Sequence, residues 1–141
     1  MKANVKWVDG LQFVGINERN SAVVMDGPPA AGGEGVGMKP TELLLIALAG
    51  CTAMDVISIM RKKRQEVREF SVAVEGSRRE EYPQSFNEIK LVYRVKGDNI
   101  DEEALKRSIE LSEEKYCSVR MTMLAIPQAA NITYSYEIET L

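Results

Sequence analysis

The chain has 141 residues, 45% of them hydrophobic, with a formal net charge of −3 and a pI near 5.2. Those values fit one globular domain, 1–141, and give little support to a nucleic-acid role. There are no histidines, which removes Ser-His and Cys-His catalysis and the usual zinc sites, so any chemistry must rest on Cys, Asp, Glu, Lys, Arg or Tyr.

The N-terminal stretch MKANVKW lacks the apolar core of a signal peptide, and a cytoplasmic protein is expected. From Lys2 to Trp7 apolar Ala3, Val5 and Trp7 alternate with Lys2, Asn4 and Lys6, which predicts a half-buried strand. Asp9-Gly10 is a hairpin turn, Leu11 to Asn17 a second strand, Glu18-Arg19-Asn20 a polar turn and Ser21 to Met25 a third strand. The expectation is a three-stranded antiparallel meander.

Asp26 to Lys39 is a long glycine-rich loop. It lacks the Gly-Lys-Ser/Thr ending of a phosphate loop and has the wrong glycine spacing for a dinucleotide fingerprint. A mobile loop over a site, or a crossover to a partner subunit, is expected instead.

Pro40 to Arg64 is a helix opened by proline, with Glu42 near its positive end and Arg61 to Arg64 near its negative end. Leu43 to Cys51 is unbroken apolar or small, so the helix should be buried. A membrane span is not expected, because the run is short and Thr52 and Asp55 interrupt it. Gly50 leaves open space beside Cys51. The plain reading of that fragment is close helix packing around a buried thiol.

Phe70, Val72 and Val74 begin a strand that continues toward Gly76–Ser85, and Asn87 to Lys96 is the next strand. Gly97-Asp98 should turn, and Asp101 should cap a helix reaching about Tyr116, with Ala104, Leu105, Ile109, Ser112 and Tyr116 as its stripe. Ser118 to Ile126 fits helix or loop, Pro127 ends it, and Ile132 to Glu139 alternates as a last strand. The order βββ-α-ββ-α-β predicts an α+β fold with an antiparallel sheet and a long buried central helix. One small sheet cannot cover so apolar a helix, so a homodimer with this helix in the interface is expected. The two cysteines, Cys51 and Cys117, lie far apart in a chain expected to be cytosolic, where thiols are reduced or redox-active rather than structural staples.

Taken together, PTELLLIALAGCTAMDV, EYPQSF and LSEEKYCSV resemble the OsmC/Ohr family of osmotically inducible and organic hydroperoxide resistance proteins. The resemblance spans nearly the whole chain. It implies an intertwined α+β homodimer with sites at the subunit interface, Cys51 as the peroxidatic cysteine and Cys117 as the resolving one. In that chemistry an external dithiol restores both thiols and greasy walls select organic hydroperoxides; Leu43 to Leu48, Met54, Met121 and Met123 could form such walls, though most of these residues are core under any reading. No cofactor and no metal are expected, and no nucleic-acid or membrane partner.

Two positions depart from the peroxidase branch. Its thiolate-stabilising arginine would fall in Val8-Asp9-Gly10, and its glutamate after the motif proline is Thr41 here. Glu42 is one residue on, about 14 Å along the helix axis from Cys51. It remains a candidate catalytic residue only if it reaches a Cys51 thiol from the other subunit; its plain reading is a first-turn dipole partner. Arg19 or Arg120 could replace the missing cation, although both read more simply as surface charges. Asp55, one turn after Cys51, would raise a thiol pKa, and Tyr116 could donate to a sulfur or simply pack. Two functions therefore stand side by side: a thiol-dependent peroxidase, or a non-catalytic module of the same fold that binds an apolar small molecule or thiol compound.

Overall fold

The computed structural model describes residues 1–125. The expected strand Ile132–Glu139 and the stop at Pro127 lie outside the described residues. In chain order the elements are β1 (Ala3–Asp9), β2 (Gln12–Asn17), β3 (Ala22–Met25), a 3-10 turn (Pro29–Ala31), α1 (Pro40–Lys62), β4 (Glu66–Arg78), β5 (Phe86–Asp98), α2 (Glu102–Leu111), a π-turn (Ser112–Tyr116) and α3 (Ser118–Ala125). The class is α+β. The chain forms two compact units, one from Met1–Gly50 with Ser71–Arg94, the other from Cys51–Phe70 with the chain from Val95 onward.

The first unit carries the antiparallel meander β1-β2-β3. Gly10 takes a left-handed φ of 49° at the first turn, and Asn20 a φ of 62° at the second. There the Asn17 carboxamide oxygen accepts the N–H groups of Arg19 and Ser21, which fixes the polar turn. β1 is not half-buried as its alternation suggests. Every one of its residues is exposed in the single chain, Trp7 at 66%. The pattern encodes an apolar face, but nothing among the described residues covers it.

The glycine-rich loop is organised rather than loosely draped. The Asp26 carboxylate is buried and accepts N–H groups of Gly27, Glu34 and Val36 at 2.7, 3.1 and 3.1 Å. Burial alone would raise its pKa, but the backbone donors of Val36, Gly27, Glu34 and Gly35 prevail and hold it below the usual value. The loop ends are pinned by Asp26 N–H to Met38 O and Met38 N–H to Val24 O. Gly33 approaches so closely that a Cβ there would lie 2.1 Å from the Gly27 carbonyl oxygen.

α1 starts with the N3 half of a capping box: Lys39 precedes Pro40, and the Glu42 carboxylate reaches back to accept the Lys39 N–H at 2.9 Å, while the Lys39 carbonyl accepts the Glu42 N–H. It ends with Arg64 in the left-handed region, φ 58°, while Gln65 N–H bonds to Met60 O and Arg64 N–H to Arg61 O, the paired bonds of a Schellman stop. Leu48, Ala49, Thr52, Val56 and Met60 are buried along one stripe; Leu44, Ile46 and Met54 are exposed. Among the described residues α1 is therefore partly covered, not enclosed. By length and composition alone its 23 residues suffice to cross a membrane, so shortness does not exclude a span as expected.

β4 and β5 pair as long strands of 13 residues each. The turn after β5 falls at Asn99, φ 52°, and not at Gly97-Asp98, which stay in the strand. A Cβ at Gly97 would lie 2.0 Å from Glu66 O, so glycine serves close approach there rather than turning. Asp101 caps α2 as expected, accepting the Glu103 N–H at 3.0 Å. The helix does not run unbroken to Tyr116. It stops at Leu111, widens into the π-turn, and a separate helix follows from Ser118.

Candidate functional site

The second unit brings the two cysteines together. α1 supplies Cys51, Thr52 and Asp55; the spacing of four residues puts Cys51 and Asp55 on one face. The opposite side comes from the π-turn. Cys117 N–H bonds back to Ser112 O at 2.9 Å, five residues earlier. Such widened turns occur mostly as single turns and often mark functional sites. Here the turn ends the helix with Cys117 extended, φ −70° and ψ 94°, directly ahead of α3.

The Cys51 sulfur, the Cys117 sulfur and an Asp55 carboxylate oxygen all lie within 4.8 Å of one another. Both thiols are free; Cys117 is fully buried and Cys51 partly exposed. A Cβ added at Gly50 would meet nothing within 4 Å, so the space expected beside Cys51 exists. Ser112 Oγ is 2.9 Å from Asp55 Oδ2 and 2.9 Å from Thr52 Oγ1, and both hydroxyl residues are buried. A hydroxyl has one proton and a carboxylate can only accept, so Ser112 donates to Asp55 and thereby fixes its rotamer.

Cys117 occupies the N-cap position of α3. Its carbonyl accepts the Met121 N–H at 3.1 Å and its sulfur accepts the Arg120 N–H at 3.4 Å. A helix N-terminus usually lowers a thiol pKa. Burial outweighs it here and pushes the Cys117 thiol up to about 11; the Arg120 N–H offsets part of that, and neighbouring Cys51 and Asp55 add to it. Cys117 is thus a protonated thiol at neutral pH.

The other candidates fall elsewhere. Arg120 touches the sulfur through its backbone only. Its guanidinium is committed to Glu113, with Nε 3.1 Å from both the Glu113 carbonyl oxygen and its carboxylate. Arg19 sits in the β2–β3 turn, without a described contact to either sulfur. Glu42 holds the Lys39 N–H and, at 3.0 Å, the Lys39 ammonium; these contacts lower its pKa, the backbone bond most. That is the first-turn role, and no described contact joins it to Cys51. Tyr116 is half-exposed under the Lys115 ammonium rather than bonded to a sulfur. The sequence reading placed Ser112 in a packing stripe and missed its bond to Asp55; the buried Ala104-Ser108-Ser112 spacing was the available signal.

An α+β chain whose long apolar helix carries one thiol, faced by a second thiol from a later helical turn, is a dithiol protein compatible with redox chemistry. The chain belongs to the OsmC family: the model described as OsmC-like protein matches residues 32–132. It is similar to protein YhfA of Escherichia coli K12, 41% identical with 98% of each chain covered. A solved hypothetical protein from Aquifex aeolicus is 31% identical, TM-score 0.77, with 89% of this chain and 87% of that one covered. The organic hydroperoxide resistance protein OsmC from Legionella pneumophila shares the fold at TM-score 0.65 and 15% identity, covering 87% of this chain and 89% of its own.

Proposed function

We propose that the protein is a thiol-dependent reductase of organic hydroperoxides, working as a cytoplasmic homodimer in oxidative-stress defence. The observation that carries this reading is the pair of free sulfurs within 4.8 Å, one accessible and one buried. The Cys51 thiolate attacks the distal peroxide oxygen; the O–O bond breaks, an alcohol leaves after protonation, and Cys51 becomes a sulfenic acid. The Cys117 sulfur then attacks the Cys51 sulfur and expels water, forming a disulfide, and an external dithiol returns both to thiols. Burial keeps Cys117 from reacting first. As its proton leaves, the Arg120 N–H is already aimed at the sulfur where charge develops.

Exposed Leu44, Ile46 and Met54 on α1 give the apolar surface that an organic peroxide or a second subunit would cover. The Legionella protein that shares this fold is named for organic hydroperoxide resistance, which agrees with this reading. Glu42 enters this chemistry only across the dimer, where it would have to leave Lys39.

The reading without turnover, binding of an apolar or thiol compound, draws on one observation: the charged side chain beside the sulfurs is Asp55, and the Arg120 guanidinium is held by Glu113. One experiment separates the two. Purified protein given cumene hydroperoxide and a dithiol should consume both, Cys51→Ser should abolish consumption, and Cys117→Ser should stop after one turnover with a dimedone-reactive sulfenic acid. Equal consumption by Cys51→Ser refutes the reductase.

A further inference from the structure

We propose that the reduced site is also a metal site: Cys51, Cys117 and Asp55 bind one zinc-type divalent cation, leaving a fourth position for water or another exogenous ligand. The sequence reading expected no metal because histidine is absent. The structure supplies a different donor set.

Three donors converge, two sulfurs and one carboxylate, none more than 4.8 Å from another. Two sulfurs on one tetrahedral zinc, each at about 2.3 Å, lie about 3.8 Å apart, and a carboxylate oxygen at about 2.0–2.2 Å sits slightly closer. The cluster therefore needs little closing to reach coordination distance. Soft thiolates select cations of this kind over magnesium or calcium.

The outer contacts have the form that metal ligands require. Ser112 donates to Asp55 Oδ2 and orients the carboxylate. The Arg120 N–H donates to the Cys117 sulfur, a bond that strengthens when the sulfur is anionic. Such outer partners set ligand orientation and affinity. Cys51 is partly exposed, which gives an entry path. Binding one divalent cation releases two thiol protons and leaves the three protein ligands and the ion with a summed charge of −1. The same sulfurs cannot serve a cation and a disulfide together, so oxidation and metal occupancy exclude each other.

This inference stands apart from peroxide turnover, and its test uses none. Full-length protein reduced with a phosphine would be titrated with Co2+, then with Zn2+. One Co2+ per chain is expected, with a sulfur-to-cobalt charge-transfer band of two-thiolate intensity that Zn2+ abolishes. Cys51→Ser and Cys117→Ser should each halve that band. Asp55→Asn should keep it but weaken binding roughly 10-fold or more, and Ser112→Ala should weaken binding roughly 10-fold through the carboxylate it no longer orients. Diamide, which removes two electrons and two protons from the thiol pair, should eliminate binding. A wild-type protein without the band, or an Asp55→Asn variant that binds as tightly as wild type, overturns the site. The wild-type spectrum decides even if a variant fails to fold. Metal binding without hydroperoxide turnover would refute the preceding reading and leave this one standing.

Discussion

Cys117 is subject to two opposed influences: a helix N-terminus that favours its thiolate and full burial that disfavours it. Burial wins, raising the thiol from 9.0 to about 11. Because the folded pKa is raised, the stabilising term is complete below the unfolded value and is lost as pH climbs through the folded one. The window runs from about pH 9 to about pH 11, and a shift of that size corresponds to roughly 2–3 kcal/mol. Urea unfolding of wild type and Cys117→Ala should therefore converge by about 2 kcal/mol between about pH 8 and about pH 11. A gap that stays constant with pH would show that the Cys117 thiol is not shifted.

At the scale of elements, residues that repeat with a period were legible and residues that act through one contact were not. The meander, α1, the β4–β5 pair and the Asp101 cap follow from alternation, helical spacing and turn chemistry. The π-turn did not, because one residue of extra pitch leaves the apolar stripe through Ser112 unchanged while altering where Cys117 emerges. Facing of Cys51 and Cys117 depends on that turn, so the resemblance carried the pairing and periodicity could not. Asp26 was missed for a related reason: a carboxylate at a strand end looks like a surface charge until three backbone N–H groups are found on it. Its loop yields an element-scale prediction. Asp26→Ala leaves the Glu34 and Val36 amides without their acceptor, so their hydrogen exchange should quicken roughly 10-fold or more. Gly33→Ala should open the same loop, since its methyl would fall on the Gly27 carbonyl. Unchanged exchange in Asp26→Ala would mean that the pinned ends alone hold the loop.

At the scale of the whole molecule, the described residues leave much apolar surface uncovered. Only 28% of the most apolar 18-residue window of α1 is buried. Leu44, Ala47, Cys51, Met54 and Ser58 recur at helical spacing along its less covered side, with Leu44 at 49% and Met54 at 72% exposure. Trp7, Val5 and Val8 on β1 are exposed as well. An exposed apolar stripe such as that on α1 marks an interaction face, and a second copy of the chain is the occupant that symmetry makes simplest. Because Cys51 belongs to the same stripe, a partner on it would also wall the mouth of the thiol site. Sedimentation equilibrium should therefore find a dimer at micromolar concentration. Placing charges on the stripe with Leu44→Glu and Met54→Glu removes about 1.5–3 kcal/mol of burial per side chain in each subunit, enough to weaken association more than roughly 100-fold. The dissociated variant should also alkylate faster at Cys51, since its thiol has lost the covering wall. A wild-type monomer, or a double variant as dimeric as wild type, would place the partner surface elsewhere and leave the exposed stripe without its proposed cover.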